Sequence, residues 1–348
     1  MQRPPLVSVV MPCYNARQYV GQAIASILEQ TYKNLELIVV NDNSSDGSGE
    51  IIKKGLRDQD TLITHVTNQG VTRSLNDGIR AAHGEFIARM DADDISDPLR
   101  IEMQVELMRS DAELAVCGTN VKAIDQDGNF LFLQEYPTED KEIRSSLPTF
   151  FPMSSGAQMW RKSRLFQVGL FDERIRCIED LELTLRLCQA GKAKNIPFPL
   201  YFYRKNFSSA SNISVLSQIE EIILGRKLFV IKSEGDKEAL ERHYQRMASQ
   251  YFRARSNKVY VPTKNKAYYY RYTALTNLIH QDKKNAMVYL CKAREIDNTS
   301  LANIFSGFLI KAPQSFINTI YFLNRLFKKY LYRIFCGDVG KYLKKPSA

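Results

Sequence analysis

The first hundred residues alternate β-branched apolar runs with amphipathic stretches, and that alternation leaves few folds open. "LVSVVMP" (6–12), "LELIVVN" (35–41), "LITHV" (62–66) and "EFIARM" (85–90) have the make-up of strands. Between the first two, "YVGQAIASILEQ" (19–30) sets Val20, Ala23, Ile24, Ile27 and Leu28 at helical spacing, and further helices are expected near 48–56 and 71–82. This β-α-β-α order predicts an α/β fold, a mixed and mainly parallel sheet with helices on both faces. Such sheets bind ligands at the carboxyl ends of their strands. Three polar clusters fall there: "PCYNA" after the first strand, "NDNSSDGS" after the second and "DADD" after the fourth.

Beyond residue 100 the pattern loosens. Residues 115–137 read as two strands around the turn "DQDGN", an antiparallel addition to the sheet. A helix is expected from near Pro98, another over 181–191 closed by Gly191, and a short strand over 200–204. From about residue 214 the strand signal disappears, and 215–232, 237–256, 265–280 and 283–296 read as consecutive helices. The chain therefore divides into an α/β domain (1–213), an α-helical C-terminal extension (214–300) and a basic amphipathic tail (301–348).

Charge separates these parts. Residues 214–348 hold 24 Lys and Arg against 10 Asp and Glu, whereas residues 1–213 hold 24 against 28. In the tail, Phe316, Ile320, Leu323, Phe327, Leu331 and Ile334 share one helical face, with Arg325, Lys328 and Lys329 away from it. A spanning helix needs about 20 mainly apolar residues, and Lys311 and Pro313 interrupt the run. The tail suits an anionic membrane surface or packing on the domain itself. It interleaves basic and aromatic residues without a recognisable nucleic-acid module, so nucleic acid is not an expected partner. The six cysteines form no C-x-x-C pair, and the N-terminus lacks a signal-peptide layout. The expected location is cytoplasmic, peripheral on the inner membrane face if the tail binds there.

The chemistry concentrates in "EFIARMDADDISDP" (85–98). Clustered carboxylates repel one another and do not favour folding by themselves. Asp91 and Asp93, two apart as the chain leaves a strand, can both aim at one hard cation, for which Mg2+ or Mn2+ is the natural guest. A calcium loop is rejected because Ser96 stands where glycine is required and Ile95 at a ligand position. A divalent ion held by one or two carboxylates completes its shell with water and phosphate, so a diphosphate is the expected ligand. No Walker loop or G-x-G-x-x-G follows a strand. Asp94 and Asp97 are candidates for capping and orienting the helix near Pro98.

Read together, four stretches carry a resemblance: "VSVVMPCYNARQYVGQAIASILEQTYKNLELIVVNDNSSDGS", "NQGVTRSLNDGIRAAHGEFIARMDADD", "VGLFDERIRCIEDLELTLRLCQAG" and "LYFYRKNFSSAS". In order and spacing they resemble the family 2 glycosyltransferases of the Rossmann-like GT-A fold, over roughly residues 6–211. The resemblance implies a nucleotide-diphosphate sugar donor (UDP by family habit), a divalent metal, and inversion at the anomeric carbon. It assigns Pro12, Tyr14 and Asn15 to the nucleotide pocket, Asp42 to the base and Arg73 to the nucleotide's surroundings. Asp91 and Asp93 become the D-x-D pair, Asp93 the direct metal ligand and Asp91 nearer the ribose or a metal-bound water. Asp180 falls at the catalytic base, its pKa raised by neighbouring Glu179, and Glu179 supports the acceptor pocket.

The chain departs from the family at three places. Asn41 stands before Asp42 where two acids are usual, "FFPMSSGAQMWRKS" lacks a preceding His, and the Q-x-x-R-W motif of processive synthases is absent after Asp180. The last favours addition of a single sugar to a glycan or lipid-linked acceptor, in bacterial surface polysaccharide synthesis. Two other readings are a non-catalytic nucleotide-sugar-binding protein on the same fold and a sugar-nucleotide pyrophosphorylase. The second lacks its glycine-rich, Arg-containing loop, since "PCYNARQYV" has no glycine.

Overall fold

The computed structural model describes residues 3–147, 151–175 and 178–205, with the single residues 238 and 291. The expected helical extension and amphipathic tail lie outside the described residues apart from those two positions.

The first half alternates as expected: β1 (Val7–Cys13), α1 (Val20–Leu28), β2 (Leu35–Asn41), α2 (Ser48–Gly55), β3 (Thr61–Thr64), α3 (Val71–Ala81) and β4 (Phe86–Arg89). There follow β5 (Ile95–Ser96), α4 (Arg100–Ser110), β6 (Leu114–Ile124), β7 (Phe130–Gln134), α5 (Asp140–Ser146), β8 (Met159–Arg161), α6 (Lys162–Val168), α7 (Glu179–Ala190) and β9 (Lys192–Arg204). All nine strands form one sheet in the order β3-β2-β1-β4-β8-β6-β9-β5, with β7 paired to β6. The β3-β2-β1-β4 side is parallel, and β8 pairs antiparallel to both β4 and β6.

Alternation along each inner strand builds two cores. Val7, Val9 and Met11 of β1, with Leu37 and Val39 of β2, face Ile24, Ile27, Ile52, Ile101 and Val105 of α1, α2 and α4. Val10, Ile38 and Ile87 face the other way, toward Leu75, Ile79, Leu165, Leu181 and Leu185 of α3, α6 and α7. Helices thus cover both faces, and strands buried on both sides read as continuous apolar runs. Truncating a fully buried residue such as Ile38 to Ala costs about 2–5 kcal/mol.

Three local expectations change. Gly191 has φ −172°, extended rather than left-handed, so it does not cap α7 as a helix-ending glycine usually does. It is needed for close approach, since a Cβ there would lie 2.5 Å from the Glu113 carbonyl at the start of β6. The strand expected over 200–204 is the end of the 13-residue β9. Asp94 does not cap α4: its Oδ1 accepts from the Arg204 backbone N–H at 2.7 Å and so fastens the "DADD" turn to β9. Asp97 does orient α4, accepting from Leu99 N–H at 3.0 Å. Among the described residues no helix is long and apolar enough to cross a membrane.

Candidate active site

The loops after β1 and β2 are fastened to each other. Asn15, in the left-handed region at φ 49°, accepts at Oδ1 from Ser45 N–H at 2.9 Å while its own N–H donates to Ser44 Oγ at 3.0 Å. Asp46 accepts from Arg17 N–H at 2.8 Å and from Ser48 N–H at 3.0 Å, at the start of α2. Asn tolerates a positive φ and its amide replaces missing backbone partners, which explains its place in this turn. Pro12 lies in β1 opposite Val40, and Tyr14, just beyond β1, is 54% exposed.

Asp42 is buried just beyond β2, and both its oxygens are engaged. Oδ1 accepts from Gln69 N–H and meets His65 Nδ1, each at 2.7 Å, and Oδ2 accepts from Gly70 N–H at 2.8 Å. It therefore anchors the loop entering α3, a role the sequence did not suggest. His65 Nε2 lies 3.2 Å from Asp77 Oδ2, and Asp77 also pairs with Arg73 at 3.0 Å. Arg73 reaches Glu173 at 3.2 Å as well, so it stands in a surface ion network linking α3 to the 171–175 segment.

The acids after β4 meet a second segment. Arg89 Nε donates to Asp91 Oδ1 at 2.9 Å, and Asp91 N–H donates to the Tyr201 hydroxyl at 3.1 Å. On its other side Asp91 packs against Gly156, where a Cβ would come within 2.9 Å of Asp91 Oδ2 and would also strike the Tyr201 hydroxyl. The residue before that glycine, Ser155, donates its hydroxyl to Asp180 Oδ2, and Asp180 Oδ1 accepts from Leu181 N–H at 2.7 Å. One short segment thus brings Asp91 and Asp180, 89 positions apart in sequence, against two adjacent residues, Gly156 and Ser155.

Glu179 and Asp180 open α7, where acids suit the positive end of the helix dipole. The preceding Ile178 has φ 63°, uncommon for a β-branched residue, and aims the first turn. Of this pair, Glu179 carries a raised proton affinity. Burial, and then the charge of Asp180, push the Glu179 carboxyl up to about 7.

Burial and then the charge of Asp91 push the Asp93 carboxyl up to about 6. Asp94 is raised further by burial and by Asp93 and Asp91. Arg204 ties this turn down, its Nε donating to the Asp93 carbonyl at 2.8 Å. Crowded acids that resist ionisation are the surroundings a divalent cation relieves, so the donor set fits Mg2+ or Mn2+. Among the described residues no three His, Cys, Asp or Glu side chains are arranged to hold a metal. Asp91 and Asp93 would hold such an ion only together with oxygens from water or a ligand.

Arg89, Ser155, Gly156, Tyr201 and Arg204 are the residues that sequence reasoning missed. For Arg89 a signal existed: a charge inside an apolar strand run requires a compensating partner. Ser155 and Gly156 carried none.

Residues 8–169 match the model of glycosyl transferase family 2. The chain is 31% identical over 236 residues to the EpsE protein of Bacillus subtilis (strain 168), covering 64% of this chain and 82% of that relative. It is also 31% identical over 230 residues to an uncharacterized glycosyltransferase of Haemophilus influenzae, covering 61% and 69%. The chain belongs to the family 2 glycosyltransferases. Among solved structures, S. aureus TarS 1–349 in complex with UDP-GlcNAc aligns with a TM-score of 0.54 and 18% identity, over 84% of this chain and 88% of that one. At that identity the likeness concerns the fold, which is the GT-A type. The family 2 match ends at residue 169, before Glu179 and Asp180.

Proposed function

We propose that this glycosyltransferase moves a single sugar from a UDP-sugar to a hydroxyl of a glycan or lipid-linked acceptor, with inversion at the anomeric carbon. The observation that carries the reading is the meeting of Asp91 and Asp180 across Ser155 and Gly156. A single inverting displacement needs a leaving-group site and a proton acceptor on opposite sides of one sugar, and this segment touches one carboxylate at Gly156 and another at Ser155.

In this reading Pro12, Tyr14, Asn15, Asp42 and Arg73 border the nucleotide. The exposed ring of Tyr14 offers the base a stacking face. Asp42 contributes by fixing the 65–70 loop at the cleft. Asp93 and Asp91 would hold Mn2+ or Mg2+, which when bound supplies charge neutralisation at the diphosphate. Asp180 takes the proton of the attacking hydroxyl, with Ser155 and Leu181 N–H holding its carboxylate in place. Glu179 lies beside it on the acceptor side. A UDP donor is supported by the TarS complex with UDP-GlcNAc. A lipid-linked acceptor of surface polysaccharide synthesis, at the cytoplasmic face of the membrane, would give the basic tail a purpose.

The test is release of nucleoside diphosphate across a panel of nucleotide sugars, with Mn2+, Mg2+ or EDTA. Metal-dependent turnover that Asp93→Asn and Asp180→Asn both abolish is the expected result. A folded wild-type protein that turns over no donor would overturn the reading and favour a binding protein on the same fold.

A further inference from the structure

The loop between β3 and α3 has little apolar footing. Residues 66–69 are all exposed, Val66 to 90%, so polar contacts hold the loop in place. The Gln69 and Gly70 N–H groups bind Asp42 from this loop, and an exposed loop alone is a soft clamp for a carboxylate. His65 is the firmer one. Its side chain is only 10% exposed, and its backbone N–H donates to the Asn41 carbonyl at 2.9 Å. Its two ring nitrogens reach acids on different elements: Nδ1 lies 2.7 Å from Asp42 Oδ1 just beyond β2, and Nε2 lies 3.2 Å from Asp77 Oδ2 in α3. Asp77 is held in turn by Arg73 at 3.0 Å and Arg80 at 2.9 Å. Because Asp42 already accepts backbone N–H groups at both oxygens, the ring is the donor at Nδ1. A carboxylate offers about four acceptor positions, of which His65, Gln69 and Gly70 fill all but one on Asp42. Among the described residues nothing occupies the last, on Oδ2.

We propose that His65 is a positioning residue of the donor site: spanning Asp42 and Asp77, it locks the Asp42 carboxylate and keeps the remaining Oδ2 acceptor position in one place for a ligand N–H. The ligand part rests on the reading above that Asp42 borders the nucleotide. Without the ring, the carboxylate can turn together with the exposed loop. The loss then falls on donor binding more than on chemistry at the anomeric carbon.

The experiment compares the full chain with His65→Asn and His65→Leu. Asn places an amide N–H near the position of Nδ1 but does not reach Asp77; Leu fills the space without a donor. Amide exchange at Gln69 and Gly70 is expected to speed up about tenfold in His65→Leu and to stay within about threefold of wild type in His65→Asn. UDP binding with Mn2+, read by calorimetry, is expected to weaken about tenfold in His65→Leu and about threefold in His65→Asn. In sugar transfer His65→Leu should raise KM for the donor, with a smaller change in kcat. A folded His65→Leu that binds UDP as wild type does overturns the positioning role, and so does an equal loss of affinity in the two variants. If His65→Leu does not fold, His65→Gln decides. Its longer amide reaches toward Asp77 rather than Asp42, so it should bind UDP more weakly than His65→Asn; an equal or reversed order overturns the proposal. A wild type that binds no UDP fails the nucleotide reading alone. The exchange comparison then decides whether His65 holds Asp42 and its loop, and unchanged exchange in His65→Leu overturns that hold.

Discussion

Ser155 donates its hydroxyl to the carboxylate of Asp180, 25 residues further along the chain, and lies one residue before the glycine that makes room for Asp91. The segment before β8 therefore joins the turn that holds Asp91 to the start of α7. Replacing Asp180 with Asn is expected to lower sugar transfer by about 10²- to 10⁴-fold, the usual worth of a general base. Ser155→Ala removes one hydrogen bond to that carboxylate and is expected to cost about threefold to tenfold. Calorimetry should find nucleotide binding close to wild type in both variants.

Gly156→Ala tests the same join from the other side. Its Cβ would press on Asp91 Oδ2 and on the Tyr201 hydroxyl. The expected outcome is a loss of Mn2+-dependent UDP binding of more than tenfold, read by titration calorimetry, with the circular dichroism spectrum retained.

Glu179 has a pH signature. Its carboxyl is raised from 4.5 to about 7 in the folded protein, so the folded state holds that proton more tightly than the unfolded chain. The resulting stabilisation is full below about pH 4.5 and is lost as pH rises through about 7. Glu179→Gln has no such proton to lose. Its stability relative to wild type is expected to rise across that interval, by about 1–3 kcal/mol, and then level off. Urea unfolding from pH 4.5 to 8 measures the difference; one that is flat with pH contradicts the assignment.

Asp42→Ala separates loop anchoring from base contact. It leaves the Gln69 and Gly70 N–H groups without their acceptor, and about 2–3 kcal/mol of stability should be lost. Hydrogen exchange at residues 69–70 should accelerate, with a higher KM for donor. A raised KM without faster exchange would assign Asp42 to the ligand alone.

The positions of the loops after β1, β2 and β4 were legible because the signals that mark them are local. Strand, polar cluster and helix follow one another within about 20 residues, and the apolar alternation that makes the parallel sheet also marks where each strand ends. Asp180 was readable only through resemblance, and the residues that support the acids after β4 come from far along the chain. Arg204 reaches Asp94 across 110 positions, and Tyr201 reaches Asp91 across the same span. The first half of β9 was missed because Pro197 and Pro199 argue against an interior strand. The sheet accommodates them beside irregularities in the ladder to β6, at Thr119/Asn120 and Asn120/Val121. The seven-residue helices α5 and α6 are too short for a periodic pattern to declare itself.

The pairing of β4 with β8 fixes the working length of the site. Phe86 lies opposite Arg161, Ile87 opposite Trp160 and Ala88 opposite Met159, and these three pairs are the ruler between the turn that follows Arg89 and the segment that holds Asp180. Sliding it by one residue would shift Ser155 by about 3.4 Å along the strand and turn Trp160 out of its core. The spacing between Asp91 and Asp180 is thus a property of strand register, and an insertion between Ser155 and Met159 would change it while leaving every acid in the chain.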